Sequence, residues 1–84
     1  MKAREGSAIN MFIFVSLLAN EVERADAKHG DWKGKTKEEM IAHVADEFAE
    51  LMEAIQKDDL HGEHGIYTEL IQVVCTLYKM WRTL

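Results

Sequence analysis

The chain has 84 residues, a net charge of −5 and a single cysteine, Cys75. A lone core of this size buries only about 60–65% of the surface that the unfolded chain exposes, so one marginal domain is the most it can form. One thiol excludes an internal disulfide framework, four histidines without a C-x-x-C pair argue against a structural zinc, and the acidic balance disfavours a nucleic-acid polymer as partner. With 48% hydrophobic and 30% charged residues, the composition is that of one folded domain over 1–84. Self-association is the expected supplement to so small a core.

Proline is absent, and glycines do the punctuating: Gly30 and Gly34 in HGDWKGK, Gly62 and Gly65 in HGEHG. The first segment, Ser7 to Lys28, opens with Ile9, Met11, Phe12, Ile13, Phe14, Val15, Leu17 and Leu18. A helix apolar on every side is buried on every side, which two further short helices cannot achieve, so this stretch reads as a subunit interface. The period alone leaves a strand open for Met11 to Val15. Lys2 and Arg4 precede the run as in a signal peptide, but no clean small-x-small cleavage site follows. The run is also shorter than the ~20 residues of a membrane span. No membrane partner is expected, and the lone thiol fits a reducing cytoplasm.

The second segment opens with a capping box, Thr36 and Glu39. Met40, Ile41, Val44, Phe48, Leu51, Met52 and Ile55 then recur at helical spacing. The third segment, about Glu63 to Leu84, carries Ile66, Leu70, Val73, Val74, Leu77, Trp81 and Leu84 on one broad stripe, with Lys79 and Arg82 near its negative end. The expected fold is all-α: three helices with two glycine-marked loops and antiparallel neighbours, assembling into an oligomeric, dimer-based bundle.

At 100° per residue, Glu47 and Glu50 stand about 60° apart beside the apolar stripe of the second helix, with His43 between them in projection. On the third helix Glu69 and Gln72 also flank the stripe. Packing the two stripes together would line one cleft with Glu47, Glu50, Glu69 and the amide oxygen of Gln72. Such oxygen donors suit Mg²⁺ or Mn²⁺ bridging to phosphates. The alternative is an acidic face that keeps a helix solvated.

From Glu21 onward the chain resembles the MazG-like, all-α nucleoside triphosphate pyrophosphohydrolases, particularly short phage and bacterial members. The family's E-E-x-x-E motif is matched by Asp46-Glu47-Phe48-Ala49-Glu50, and its E-x-x-D motif by Glu69-Leu70-Ile71-Gln72. The stretch from Glu23 to Gly30, ERADAKHG, is similar to the E-R-x-x-x-x-K-x-G segment of short members, with one residue fewer between Arg24 and Lys28, and ELIQVV to an E-L-x-Q-V-A variant. The resemblance covers about three quarters of the chain and leaves the initial apolar run unmatched. It implies cleavage of a nucleoside triphosphate between its α and β phosphates, giving monophosphate and pyrophosphate. It also implies Glu47, Glu50 and Glu69 as ligands of Mg²⁺ or Mn²⁺, and Glu50 as the carboxylate that orients the attacking water. Gln72 departs from the family's aspartate and offers a neutral oxygen where a charge is expected.

Under this reading Trp32 stacks on a base, and Arg24, Lys28 and Lys33 reach phosphates; the plain alternatives are a core tryptophan and solvated cations. His43 either supports the carboxylates from behind or is simply packed, His61 and His64 are loop residues where a stray metal contact would be weak, and Cys75 is a buried structural thiol. Met40, Met52 and Met80 are core fillers. A homodimer or homotetramer is the expected assembly. The rival function is a non-catalytic helical interaction module whose apolar first helix docks a partner.

Overall fold

The computed structural model describes residues 7–84, which form three helices, α1 (Ser7–His29), α2 (Lys37–Gln56) and α3 (Ile66–Thr83), and no strand among the described residues. The strand left open for Met11 to Val15 is therefore helix. Lys2 and Arg4, and with them the question of a signal peptide, lie outside the described residues. No helix among the described residues is long and apolar enough to cross a membrane.

Gly30 ends α1: its φ is +76°, a left-handed conformation that costs glycine little, and its N–H donates to Asp26 O at 2.8 Å. The capping box starts α2 as the sequence requires. Thr36 Oγ1 accepts from the Glu39 amide at 3.1 Å, and Glu39 Oε1 accepts from the Thr36 amide at 2.9 Å. α2 stops at Gln56, and the chain then turns through Asp58 at φ +53°. Asp59 then gathers the linker: its side chain accepts from Gly62 N and its carbonyl from Ile66 N.

α3 is the middle helix. α2 and α1 each pack on it and make no close backbone approach to one another. Glu21 meets Gln72, and Asp26 meets Lys79 and Arg82, so α1 runs parallel to α3. Glu47 and Glu50 meet Glu69 while Trp32 and His43 sit near Lys79, so α2 runs antiparallel to α3. The buried apolar core is small: Trp32, Met40, Leu51, Ala54, Val73 and Cys75. Met80 is half-buried and Met52 exposed. Phe48, Trp81 and Leu84, expected on the packing stripes, are exposed in the single chain, and residues 8–17 of α1 are exposed on every side.

One ion cluster clasps α1 to α3. Asp26 accepts from both terminal nitrogens of Arg82, at 2.8 and 3.0 Å, and lies 3.3 Å from Lys79 Nζ. Lys79 is buried; it also donates to Gly30 O at 3.1 Å and stands over the Trp32 ring at 5.4 Å. The Arg82 hydrogen bonds, with Lys79 adding to them, hold the Asp26 carboxyl down from its ordinary 3.8 to about 2. A carboxylate with a lowered folded-state pKa stabilises the fold above its unfolded value and loses that contribution as the pH falls through the folded one. Asp26→Asn is expected to cost about 1–2 kcal/mol by urea denaturation at neutral pH, since it also strips a buried ammonium of its counter-charge. The difference from the parent is expected to shrink as the pH falls from about 4 towards 2.

Candidate metal centre

α2 and α3 bring three carboxylates to one point. One oxygen from each of Glu47, Glu50 and Glu69 lies within 4.8 Å of the others. The cause is the helical register: two residues three apart on α2 flank the seam against α3, and Glu69 in the first turn of α3 faces them across it. Glu69 is 2% exposed, Glu47 is half-buried and Glu50 is exposed.

The cluster lacks counter-charge. Glu47 Oε2 and Glu69 Oε2 are buried and receive no hydrogen bond. The basic side chain set against one of these carboxylates is His64, whose Nδ1 is 3.4 Å from Glu69 Oε1, while Lys57 in the adjoining cleft is paired with Glu53. Burial, followed by repulsion from Glu50 and then Glu69, pushes the Glu47 carboxyl up to about 7. Burial and Glu50 likewise raise Glu69, with His64 opposing. The N-terminal end of α3 supplies a partial positive charge to Glu69, worth under about 1 kcal/mol in such a setting. Buried oxygens without donors and carboxylates driven towards protonation are what a hard divalent cation would relieve, so the donor set fits Mg²⁺ or Mn²⁺.

Two clefts meet at the cluster. One, of about 320 Å³, is lined by Glu50, Glu53, Lys57, Asp59, His64 and Glu69. The other, of about 460 Å³, opens between α1 and α2 over α3, and Arg24, Trp32, Lys35, His43, Glu47 and Gln72 are among its walls.

Gln72 stands apart from the carboxylates in one respect. Its Nε2 donates to Glu21 Oε2 at 2.8 Å, tying it to α1. Among the described residues nothing donates to its carbonyl oxygen. Arg24 lines the larger cleft but spends its guanidinium on Glu21. Trp32 is 6% exposed, stacked on His43 at 5.2 Å between ring centres. Lys28 and Lys33 are exposed and are not among the walls of that cleft. Cys75 is buried and unpaired, and burial raises its thiol pKa.

Two residues of interest stand outside the site expected from the sequence, which reads His64 as a loop residue with at most a weak metal contact. His64 lies off the helical stripe, in a loop, so no periodicity points to it. Glu21 is half-buried on α1, and only the parallel packing of α1 on α3 brings it to Gln72. No protein-family model, no curated protein and no solved structure matches this chain.

The raised Glu47 carboxyl sets a sign for pH dependence. A carboxylate whose folded pKa lies above its unfolded value leaves the fold most stable below about 4.5 and withdraws that stability as the pH rises through about 7. In the presence of chelator, Glu47→Gln is expected to exceed the parent in stability by about 1 kcal/mol at pH 8, allowing for solvent screening, with the gain fading towards pH 4.5. Urea denaturation across that range checks it.

Proposed function

We propose that the chain is a metal-dependent nucleoside triphosphate pyrophosphohydrolase, with Mg²⁺ or Mn²⁺ held by Glu47, Glu50 and Glu69. The observation that carries the reading is the pair of buried, donorless oxygens on Glu47 and Glu69 facing a third carboxylate. The order of the two motifs, Asp46–Glu50 and Glu69–Gln72, supports it.

A bound divalent cation supplies charge neutralisation at phosphate oxygens and a lowered pKa for an attacking water. Glu47 and Glu69, half-buried and buried between two helices, are held in place and act as fixed ligands. Glu50 is exposed, so it reaches solvent and is placed to orient the water and accept its proton. Gln72, turned by Glu21, keeps the oxygen end of its amide for the site, at the cost of the charge that an aspartate would bring. The nucleoside portion occupies the cleft between α1 and α2, with Arg24 and Trp32 in its walls and Lys28 and Lys33 available to the phosphates from outside.

With Mg²⁺ or Mn²⁺ and a panel of nucleoside triphosphates, the protein is expected to release pyrophosphate. Glu50→Gln should reduce turnover by about 10²–10⁴-fold with helicity intact. Absence of pyrophosphate from every nucleotide with either metal would overturn the reading.

A second feature belongs to the same proposal. Phe12 is 76% exposed and Ile9, Met11, Ile13, Val15 and Leu17 all exceed one half, an apolar surface that a monomer of this size does not ordinarily leave in water. We assign it to self-association as a homodimer or homotetramer. The same surface is what a non-catalytic interaction module would use, and the two are separated by metal: a module gains nothing specific from Mn²⁺, whereas a native-state ligand at 100 times its Kd adds about 2.7 kcal/mol. Phe12→Asp is expected to convert the assembly to monomer at micromolar concentration in sedimentation, with loss of stability. A folded monomeric parent would refute the interface.

A further inference from the structure

His64 stands at the carboxylate cluster although it belongs to neither helix. Its Nδ1 is 3.4 Å from Glu69 Oε1, and it shares the 320 Å³ cleft with Glu50 and Glu69. Its own side chain is 83% exposed, whereas that of Glu69 is 3% exposed with Oε2 unpartnered. The ring is thus an accessible donor beside a buried carboxylate that lacks one.

The loop that presents it is tightly built. Gly62 N donates to the Asp59 carboxylate, Gly65 N to Gly62 O at 2.9 Å, and Ile66 N to Asp59 O at 2.7 Å. A Cβ at Gly65 would stand 2.7 Å from Gly62 N and 2.8 Å from Asp59 O, backbone atoms that have little freedom to give way. Glycine at that point lets two backbone segments touch, and residue 64 is thereby held at the mouth of α3, five residues before Glu69.

The spacing suits shared coordination. Two ligand atoms on one octahedral cation, each at about 2.1 Å, lie roughly 3 Å apart when adjacent and roughly 4.2 Å when opposite. The 3.4 Å between His64 Nδ1 and Glu69 Oε1 falls within that range, and Glu69 is also one of the three carboxylates that gather within 4.8 Å of one another, so His64 borders that group through Glu69. A simple ion pair between His64 and Glu69 would leave Glu47 Oε2 and Glu69 Oε2 as bare as before. A cation among the three carboxylates would satisfy those oxygens, and the exposed His64 ring would join it from the Glu69 side by rotation of its side chain.

We infer that His64 is a fourth ligand of the divalent cation, contributing one imidazole nitrogen to a site otherwise made of carboxylate oxygens. This rests on the metal reading of Glu47, Glu50 and Glu69. Its consequence is metal preference. Imidazole adds affinity for transition-metal ions and little for Mg²⁺, which favours oxygen donors, so a site of three carboxylates and one imidazole favours Mn²⁺ over Mg²⁺.

The test is electron spin echo envelope modulation on the Mn²⁺-loaded protein, with Mn²⁺ and Mg²⁺ titrations alongside. The parent should show a directly coordinated ¹⁴N, absent in His64→Ala and in His64→Gln and retained in the loop control His61→Ala. Mn²⁺ affinity should fall about tenfold in both His64 variants, with Mg²⁺ affinity changed less than about twofold. Mn²⁺ bound without coordinated nitrogen in the parent, or a nitrogen signal that survives in His64→Ala, would overturn the inference and leave the carboxylate site standing. No Mn²⁺ binding in the parent would overturn both.

Discussion

Uncompensated negative charge at the seam between α2 and α3 is the constraint around which this structure is arranged. α3 carries two buried charges, and they are treated oppositely. Lys79 has Asp26, the Gly30 carbonyl and the Trp32 ring around it. Glu69, ten residues earlier, has one oxygen near an exposed histidine and the other with no partner, facing two further carboxylates. Burying a charge without a partner costs several kcal/mol, so the bare end of the helix favours protonation of its carboxylates or a cation beside them.

The same helix joins the two halves of the molecule. Through Arg82 and Lys79 it holds α1, and through Glu69 it faces α2. Because α1 and α2 do not approach one another, a polar cleft opens between them over α3, with Glu47 at its wall. A cleft beside a carboxylate cluster is the arrangement that a phosphate-bearing ligand and a divalent cation would share. The small apolar core and the exposed first half of α1 are two sides of one fact: three helices in this order leave more apolar surface than they cover.

Gln72 shows what periodicity leaves out about a single side chain. Its spacing from Glu69 puts both on one flank of α3, which is correct as far as it goes. Yet α1 also borders that flank, and the Gln72 amide finds the Glu21 carboxylate there. A glutamine can donate to that carboxylate, whereas an aspartate at this position would meet Glu21 as a like charge.

The sequence by itself determined the three helices, since the capping box at Thr36, the glycine at 30 and the 3.6-residue recurrence of apolar side chains are local properties, enforced by hydrogen bonds within a few residues. It also determined that Glu47 and Glu50 would share a flank. The point where α2 ends was hidden, because Asp58 in the left-handed region and Asp59 bridging to Gly62 and Ile66 depend on the path of the returning chain. Only the tertiary structure decided that α1 lies parallel to α3, that Trp32 is buried against His43 and Lys79, and that His64 reaches Glu69. These contacts join residues from different elements, and their formation depends on packing geometry and on which buried charges find partners, neither of which a one-dimensional period encodes.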